Sequence, residues 1–206
     1  MVPLVGPTCV GKTTLAETVA KLDPDFFAIT PFTTRPKRPE ESPNTYRFVS
    51  NSMAQQNQIN DGLANGTILQ IVTHPTGYIY GTTIDDYAGA YNLLPLLSTE
   101  VAAYKAVGFL RCPIVMIVAP AAQWKLRFSQ RGLAPDDAAK RVTEAIQSLQ
   151  WGIAQGDAVC WVLNPNGQQI SAANNIIAYA RHGRRADQLA KSAAIDLLAE
   201  LNQITS

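Results

Sequence analysis

Short apolar runs alternate along the chain with segments in which apolar residues recur every three or four positions. The run Val2 to Val5 precedes a glycine-containing loop, and the segment 13–22 places Leu15, Val19 and Leu22 at helical spacing. The pattern predicts further strands at 93–97, 113–119 and 158–164, and helices at 98–107, within 123–155 and at 174–180. Strands separated by helices are typical of an α/β fold in which helices flank a central parallel sheet.

The segment 31–83 interrupts this alternation with turn residues and short alternating runs. YRFVS and TILQIV within it are typical of short strands, and the Gln- and Asn-rich stretch 53–66 predicts a polar helix that ends at a glycine. We therefore expect a small β-rich subregion inserted between parts of the α/β core. Pro95 falls inside the predicted strand 93–97, and because proline donates no ladder hydrogen bond, we expect a bulge or a strand end there.

The segment 185–204 predicts an additional amphipathic helix. Leu189, Ala193, Leu197 and Leu201 recur in it at four-residue spacing. This apolar stripe can pack on its own domain or on a second copy of the chain, and packing on its own domain is favoured. A homodimer through this helix stays open as the alternative.

Composition places few constraints on function. The 206 residues suit one domain with a sizeable core, and 17 Lys and Arg against 16 Asp and Glu give a formal charge of +1. Overall charge therefore provides no argument for a nucleic-acid or membrane partner, and no apolar run reaches the roughly 18 residues of a spanning helix. Three widely spaced cysteines, an odd number, favour a reducing compartment over a disulfide framework, and we expect a cytoplasmic protein.

The stretch GPTCVGKT, at residues 6–13, matches the phosphate-binding P-loop pattern G-x-x-x-x-G-K-[ST] in full. Its glycines let consecutive main-chain N–H groups point at phosphate oxygens, and the following helix adds the partial positive charge of its N-terminus. Lys12 is then expected to reach the β- and γ-phosphates of ATP, and the Thr13 hydroxyl to coordinate Mg²⁺. A glycine-rich turn that fits the pattern by chance is disfavoured by its place between an apolar strand and an amphipathic helix. The predicted ATP-binding residues of this loop are Gly6, Pro7, Thr8, Cys9, Val10, Gly11, Lys12, Thr13 and Thr14.

A basic segment at residues 32–50 is the candidate for a second phosphate site. The segment concentrates Arg35, Lys37, Arg38, Tyr46 and Arg47 in a region expected to project from the sheet. Arginines suit bidentate contact with a dianionic phosphate, and a tyrosine hydroxyl can add a donor. A solvated basic loop is the alternative that composition alone favours.

The order T-T-R-P-K-R at 33–38, followed by Glu41, Tyr46, Phe48 and Val49, resembles a signature of the guanylate kinase family. In that family the signature T-T-R-x-x-R…Y-x-F-V lies in the GMP-binding region. Other segments are similar to the family in the same order, namely YIYGT at 78–82, APAAQWKLRFSQRG at 119–132, KRV…A at 140–145 and VLN at 162–164. The similarity covers about residues 2–180, and the P-loop together with T-T-R-x-x-R is its most specific part.

This resemblance implies a P-loop nucleoside monophosphate kinase, with a central parallel sheet, a helical lid at 123–155 and a small β-rich acceptor-binding subdomain at 31–83. The core of a single domain 1–206 would comprise residues 1–30, 84–122 and 156–182. The implied reaction transfers the γ-phosphoryl group of ATP to a nucleoside monophosphate, with GMP as the first candidate. The implied catalytic residues are Lys12, Arg127, Arg131 and Arg141, the acceptor-binding residues are Arg35, Arg38, Tyr46, Gln70, Tyr80 and Thr82, and Asn164 joins the ATP-binding residues.

Several positions depart from the pattern of that family, and most of them surround the acceptor base. Gln70 stands where the family has a glutamate that accepts hydrogen bonds from guanine, and an amide presents a donor in place of one acceptor. Guanine is therefore expected to bind less well. Pro31 replaces a serine, Pro95 and Leu97 replace two aspartates at a strand end, and Glu100 is the nearest acidic residue that could serve instead of them.

Two other interpretations stay open. A P-loop kinase with a changed acceptor, either another nucleotide or a phosphorylated sugar, would keep the donor site and would account for Gln70 and the missing aspartates. A non-catalytic binding domain similar to scaffold guanylate kinase domains is the third interpretation. The complete motif from Gly11 to Thr13 counts against it, because a scaffold domain does not need it.

Overall fold

A computed structural model describes residues 1–37, 45–73, 77–183 and 188–204 of the chain. The strands in this part of the chain are β1 (Val2–Val5), β2 (Phe26–Ala28), β3 (Phe32–Thr33), β4 (Arg47–Phe48), β5 (Ile68–Thr73), β6 (Ile79–Thr83), β7 (Tyr91–Pro95), β8 (Ile114–Val118) and β9 (Val159–Leu163). The helices are α1 (Lys12–Leu22), α2 (Met53–Asn65), α3 (Val101–Ala106), α4 (Ala121–Ser129), α5 (Pro135–Ala154), α6 (Gln169–His182) and α7 (Gln188–Ile204). None of these described helices combines the length and the apolar character needed to cross a membrane.

The central sheet has the strand order β2-β7-β1-β8-β9, and all neighbouring strands are parallel. Every residue of β1 and β8 is buried, as expected for parallel strands with helices on both faces. From β1 the chain passes through α1 to β2 on one side of the sheet, whereas β8 and β9 lie on the other side. The strand order therefore reverses next to β1, and a crevice opens at the carboxyl ends of the strands at such a point. The predicted α/β fold class is confirmed.

The smaller sheet lies within residues 32–83 and has the strand order β4-β3-β6-β5. Strands β5 and β6 pair antiparallel along most of their length, whereas β3 and β4 contain two residues each. The two segments predicted as short strands, YRFVS and TILQIV, therefore both form strands, although the first is limited to Arg47–Phe48. Arg47 forms an ion pair with Asp86, and Asp86 also accepts hydrogen bonds from the N–H and the hydroxyl of Thr83, at 2.7 and 3.0 Å. The charge of Arg47 is thus compensated within the protein.

The helical zone predicted at 123–155 consists of two helices, because α4 ends at Ser129 and α5 begins at Pro135. Gly132 between them has a φ of +56°, and proline suits the first turn of a helix, where its missing N–H leaves no hydrogen bond unmade. The helix predicted at 174–180 is α6, which extends beyond the predicted bounds at both ends and spans Gln169–His182. Strand β7 ends at Pro95, as its proline predicts.

The C-terminal helix α7 packs on its own domain, against α4, α5, β8 and β9. Its fully buried residues are Ala190, Ala194, Leu197 and Leu201, whereas Leu189 is 63% exposed. A four-residue spacing drifts by about 40° per step on a helix with 3.6 residues per turn, so a stripe that begins at Leu189 does not stay on one face. Because the buried face is covered within the chain, the apolar pattern no longer argues for a homodimer through this helix.

Candidate active site

The loop at residues 6–13 leaves β1 at the reversal of strand order and leads directly into α1. Gly6 has a φ of +146°, and a Cβ there would lie 2.2 Å from the main-chain oxygen of Ile117 in β8. Gly11 has a φ of +91° and precedes α1, and a Cβ there would lie 2.6 Å from Asn164 Nδ2. Both positions therefore require glycine, because of their backbone conformation and because neighbouring atoms approach so closely.

Lys12 lies in the first turn of α1, and its side chain bends back into the loop. Its Nζ donates to the main-chain oxygens of Gly6 at 2.5 Å and of Pro7 at 2.9 Å. Burial lowers the pKa of Lys12 to about 8, and the nearby Arg131 and Arg141 act in the same direction. An anion bound in the loop would stabilise the ammonium charge that burial disfavours.

Two side chains from distant parts of the chain hold the loop in place. Trp124 of α4 is buried, and its indole Nε1 donates to the main-chain oxygen of Thr8 at 2.7 Å. Asn164, which follows β9, donates through Nδ2 to the main-chain oxygen of Val10 at 2.8 Å. Sequence reasoning assigns Trp124 no functional role, because a single tryptophan carries no pattern that predicts a distant main-chain partner.

A cavity of about 520 Å³ opens in front of the loop, between the small sheet and the helices α4 and α5. Most of the predicted site residues line it, namely Thr8, Cys9, Gly11, Lys12, Thr13, Thr14, Arg35, Tyr46, Tyr80, Arg127, Arg131, Arg141 and Asn164. Gly6, Pro7 and Val10 shape the loop without lining the cavity. The two predicted phosphate sites therefore face one common space.

Arg35 is the buried cation on the small-sheet side of the cavity. Its side chain is enclosed by aromatic residues, since the guanidinium carbon lies 5.1 Å from the centre of the Tyr46 ring and 5.5 Å from that of Phe48. Its Nε donates to the Tyr80 hydroxyl at 3.1 Å. These contacts hold the guanidinium in one orientation. A desolvated guanidinium beside two tyrosines is suited to binding a phosphate dianion.

Two of the other predicted acceptor-binding residues, Thr82 and Gln70, lie outside this arrangement. Thr82 is fully buried, and its hydroxyl forms a hydrogen bond of 3.0 Å with the Tyr87 hydroxyl. The amide of Gln70 donates through Nε2 to the main-chain oxygen of Ile71 at 2.9 Å. Neither Thr82 nor Gln70 lines the cavity. Arg38 lies outside the described residues.

Three arginines line the cavity on the side of α4 and α5, namely Arg127 in α4, Arg131 in the segment between the two helices and Arg141 in α5. Arg127 donates to the main-chain oxygen of Asn164 at 2.9 Å and to Asn166 Oδ1 at 2.7 Å. Arg141 forms an ion pair with Glu144, one turn further along α5. Sequence reasoning missed Glu144, although its spacing of three residues from Arg141 is typical of a helical ion pair. An anionic ligand in the cavity can compete for these guanidinium groups.

Glu100 borders the cavity in a short helical turn, Ser98–Glu100, that follows β7. Its Oε2 accepts a hydrogen bond from the Leu97 N–H at 3.0 Å. Burial raises the pKa of Glu100 to about 7, Glu144 acts in the same direction, and Lys12 opposes the shift. The carboxyl therefore lies at the strand end where the resemblance implies two aspartates, and its charge is coupled to the lysine of the P-loop.

Glu100→Gln is expected to raise the free energy of unfolding near pH 7.5 by about 2 to 3 kcal/mol and to leave it almost unchanged near pH 4. The pKa of Glu100 is about 7 in the folded protein and 4.5 in its ordinary range, so the folded state holds the proton more tightly. Stability is therefore lost as the pH rises between these two values. Glutamine removes that loss and can still accept the hydrogen bond from Leu97.

Denaturant unfolding of both proteins at a series of pH values measures this difference. The exposed Glu17→Gln in α1 is the matched control for the removal of a carboxylate. Lys12, Glu144 and Tyr104 are the titratable neighbours of Glu100, and each stays in place in both proteins. A stability gain of equal size at pH 4 and pH 7.5 would contradict the assignment.

Comparisons with known proteins agree with this geometry. The family model described as guanylate kinase matches residues 1–86, which contain the P-loop, the T-T-R-x-x-R segment and the small sheet. A solved guanylate kinase from Anaplasma phagocytophilum is similar to this chain with a TM-score of 0.57 and 16% sequence identity, over 97% of this chain and 93% of that chain. The chain has the fold of a guanylate kinase. No curated protein matches the sequence.

The guanylate kinase resemblance implies ATP and Mg²⁺ as ligands, and the loop side of the cavity fits them. Asn164 is 2% exposed, and its Oδ1 accepts no hydrogen bond within the described part of the chain. A buried acceptor without a donor costs free energy, and a ligand N–H such as that of an adenine amino group would satisfy it. The exposed Thr13 suits Mg²⁺, which usually takes most of its ligands from phosphate oxygens and water.

Proposed function

We propose that the protein is an ATP-dependent nucleoside monophosphate kinase, with GMP as the first acceptor to test. The shared cavity carries this proposal, because the P-loop and the group formed by Arg35, Tyr46 and Tyr80 both line it. The guanylate kinase fold and the family match over residues 1–86 support the same class of enzyme. The reaction would convert ATP and a nucleoside monophosphate into ADP and a nucleoside diphosphate.

On the donor side, the main-chain N–H groups of the loop and Lys12 would hold the β- and γ-phosphates of ATP. These donors are oriented before the ligand arrives, so they stabilise charge without reorganising during the reaction. Lys12 would be fully protonated in the complex, because a phosphate raises the pKa that burial lowers to about 8. Mg²⁺ supplies charge neutralisation at the phosphate oxygens when it is bound, and Thr13 would hold it.

On the acceptor side, Arg35 would form charge-assisted hydrogen bonds to the acceptor phosphate, and Tyr46 and Tyr80 would add hydroxyl contacts. An oxygen of that phosphate would attack the γ-phosphorus of ATP, and ADP would leave. A phosphate monoester is largely dianionic at neutral pH, so this step needs no general base. Arg127, Arg131 and Arg141 would close over the transferring group and exclude the water that would hydrolyse ATP.

We further propose a cytoplasmic location for this activity. None of the three cysteines, at positions 9, 112 and 160, forms a disulfide in the described part of the chain, as is usual in a reducing compartment. A kinase of this class also needs ATP and nucleotides in its surroundings.

A coupled assay of ADP release, with ATP and Mg²⁺, tests the kinase proposal. The acceptors to compare are GMP, dGMP, AMP, CMP, UMP and phosphorylated pentoses. Turnover of at least one nucleoside monophosphate is the expected result. Turnover of a phosphorylated pentose alone would replace the proposal with the changed-acceptor interpretation. Measurable ATP binding without turnover of any acceptor would favour a non-catalytic binding domain.

Arg35→Ala is expected to raise the KM for the acceptor about 10- to 100-fold and to change the KM for ATP by less than about twofold. The reason is that the guanidinium would contact only the acceptor phosphate, and its charge-assisted hydrogen bonds would be lost. Steady-state kinetics with each substrate varied in turn measures both constants.

Lys37→Ala is the matched control for this substitution, because Lys37 is exposed and lies two residues further along the same segment. Arg35→Lys keeps the positive charge but lacks the planar guanidinium, which can donate two parallel hydrogen bonds to a phosphate. It is therefore expected to give a KM for the acceptor between those of the wild type and Arg35→Ala. Equal increases in the KM for ATP and for the acceptor would contradict the role of Arg35.

A further inference from the structure

Arg141 is neutralised within the protein by a carboxylate on its own helix. Its Nη1 donates to Glu144 Oε2, and the two residues form an ion pair one turn apart in α5. The two side chains are 28% and 20% exposed, and both residues line the cavity. A pair that is partly buried in this way is screened much less by salt and water than a pair on an open surface.

Two other cations of the cavity are held by uncharged oxygens. Arg127 donates to the main-chain oxygen of Asn164 and to the side-chain oxygen of Asn166, and Lys12 donates to main-chain oxygens of the loop. These contacts orient the two cations without cancelling their charge. Arg141 differs from them, because a phosphate bound to its guanidinium would share it with a full negative charge.

The carboxylate of Glu144 also lies within electrostatic reach of the phosphate loop. Burial lowers the pKa of Lys12 to about 8, and the charge of Glu144 opposes that shift. The helix α5 packs against the turn Ser98–Glu100, which follows β7 and borders the same cavity. Glu144 therefore borders the space in which Lys12 would hold the β- and γ-phosphates of ATP.

A phosphate that approaches Arg141 meets two costs at this wall. It must share or replace the carboxylate that already occupies the guanidinium, and its own charge is repelled by that carboxylate, which stays nearby on α5. Both costs depend on the charge of Glu144 and not on the shape of its side chain. A glutamine at this position has nearly the same shape and removes the charge.

We propose that Glu144 competes with phosphate ligands for Arg141 and thereby lowers the affinity of the cavity for polyphosphates. The inference rests on the proposed function in one respect, since it takes ATP as the ligand of this cavity, and it does not depend on phosphoryl transfer. The effect grows with the number of phosphate groups on the ligand. The cavity therefore releases a polyphosphate more readily than its cations alone would allow.

Calorimetric titration of ATP and of ADP, each with Mg²⁺, into the full chain tests this inference. Glu144→Gln is expected to lower the dissociation constant of ATP about tenfold and that of ADP by a smaller factor, about threefold. The difference arises because ATP carries one more phosphate group. A dissociation constant of ATP that is higher than in the wild type, or unchanged within about twofold, would overturn the inference.

Two further variants separate charge from other effects of the substitution. Glu200→Gln is the matched control, because Glu200 of α7 forms an ion pair with Lys125 of α4 and neither residue lines the cavity. It is expected to leave both dissociation constants unchanged. Glu144→Asp keeps the negative charge and is expected to stay within about threefold of the wild type. An equal gain in affinity in Glu144→Asp and Glu144→Gln would overturn the inference, because the size of the side chain would then set the affinity.

Turnover of the same proteins separates this inference from the kinase proposal. Tighter ATP binding by Glu144→Gln, without phosphoryl transfer to any acceptor by either protein, would support the inference and overturn the kinase proposal. Phosphoryl transfer by the wild type, with equal affinities of both proteins for ATP, would support the kinase proposal and overturn the inference. Failure of both proteins to bind ATP would overturn both.

Discussion

Lys12→Ala is expected to lower kcat for phosphoryl transfer by about 10²- to 10³-fold, the usual effect of removing one preoriented charged donor from a site of developing negative charge. The Nζ of Lys12 lies within 3 Å of two main-chain oxygens of the loop, so the ammonium group is held at the loop before a ligand binds. Initial rates at saturating ATP and acceptor measure the effect.

Stability measurements separate this loss from unfolding. Burial lowers the pKa of Lys12 to about 8, so the charged ammonium is a cost to the folded protein, and alanine removes that cost. The free energy of unfolding of Lys12→Ala is therefore expected not to fall. Lys21→Ala, at the exposed end of the same helix, is the control for loss of a lysine. A Lys12→Ala variant that keeps more than about a tenth of the wild-type kcat would contradict the role of Lys12.

The phosphate-loop side of the cavity could be predicted from the sequence because its geometry is encoded within a few consecutive residues. The spacing from Gly6 to Thr13 determines a loop whose main-chain N–H groups converge, and the apolar run before it determines a buried strand. The structure adds only the supports of this loop. Trp124 reaches Thr8 from 116 positions away, a separation that no local pattern encodes.

The small-sheet side of the cavity was predicted less completely because its contacts join residues that are distant in sequence. Arg35 Nε donates to the Tyr80 hydroxyl 45 positions further on, and both residues line the cavity. Thr82 belongs to the same motif, yet its hydroxyl is used by Tyr87. A sequence shows that a hydroxyl is present, but the packing of Tyr87 decides whether that hydroxyl remains available.

Charge is distributed unevenly between the cavity and the rest of the chain. The whole protein has a formal charge of +1. Among the described residues, by contrast, the cavity lining contains five cations and two carboxylates, namely Lys12, Arg35, Arg127, Arg131 and Arg141 against Glu100 and Glu144. A cleft with this local excess of positive charge attracts polyanionic ligands even though the net charge of the whole protein is small. Composition alone excluded a broad basic surface, but it carried no information about this concentration of charge.

Gly6→Ala is expected to lower the free energy of unfolding by about 3 to 5 kcal/mol, the range in which a substitution removes much of the stability of an ordinary domain. The added Cβ would lie 2.2 Å from the Ile117 main-chain oxygen, and the φ of +146° is one that residues with a Cβ rarely adopt. Neither strain can be relieved by a side-chain rotation, because the Ile117 oxygen belongs to the main chain of β8, which is held between β1 and β9 in the sheet.

Gly66→Ala is the matched control for this substitution, because Gly66 also has a positive φ, of +79°, but a Cβ there meets no atom within 4 Å. Only the conformational cost remains at Gly66, about 1 kcal/mol. Denaturant unfolding of the two variants measures the difference, which is the cost of bringing the loop so close to β8. If both variants lost the same stability, the contact with Ile117 would not constrain the loop, and Gly6 would be required by its backbone conformation alone.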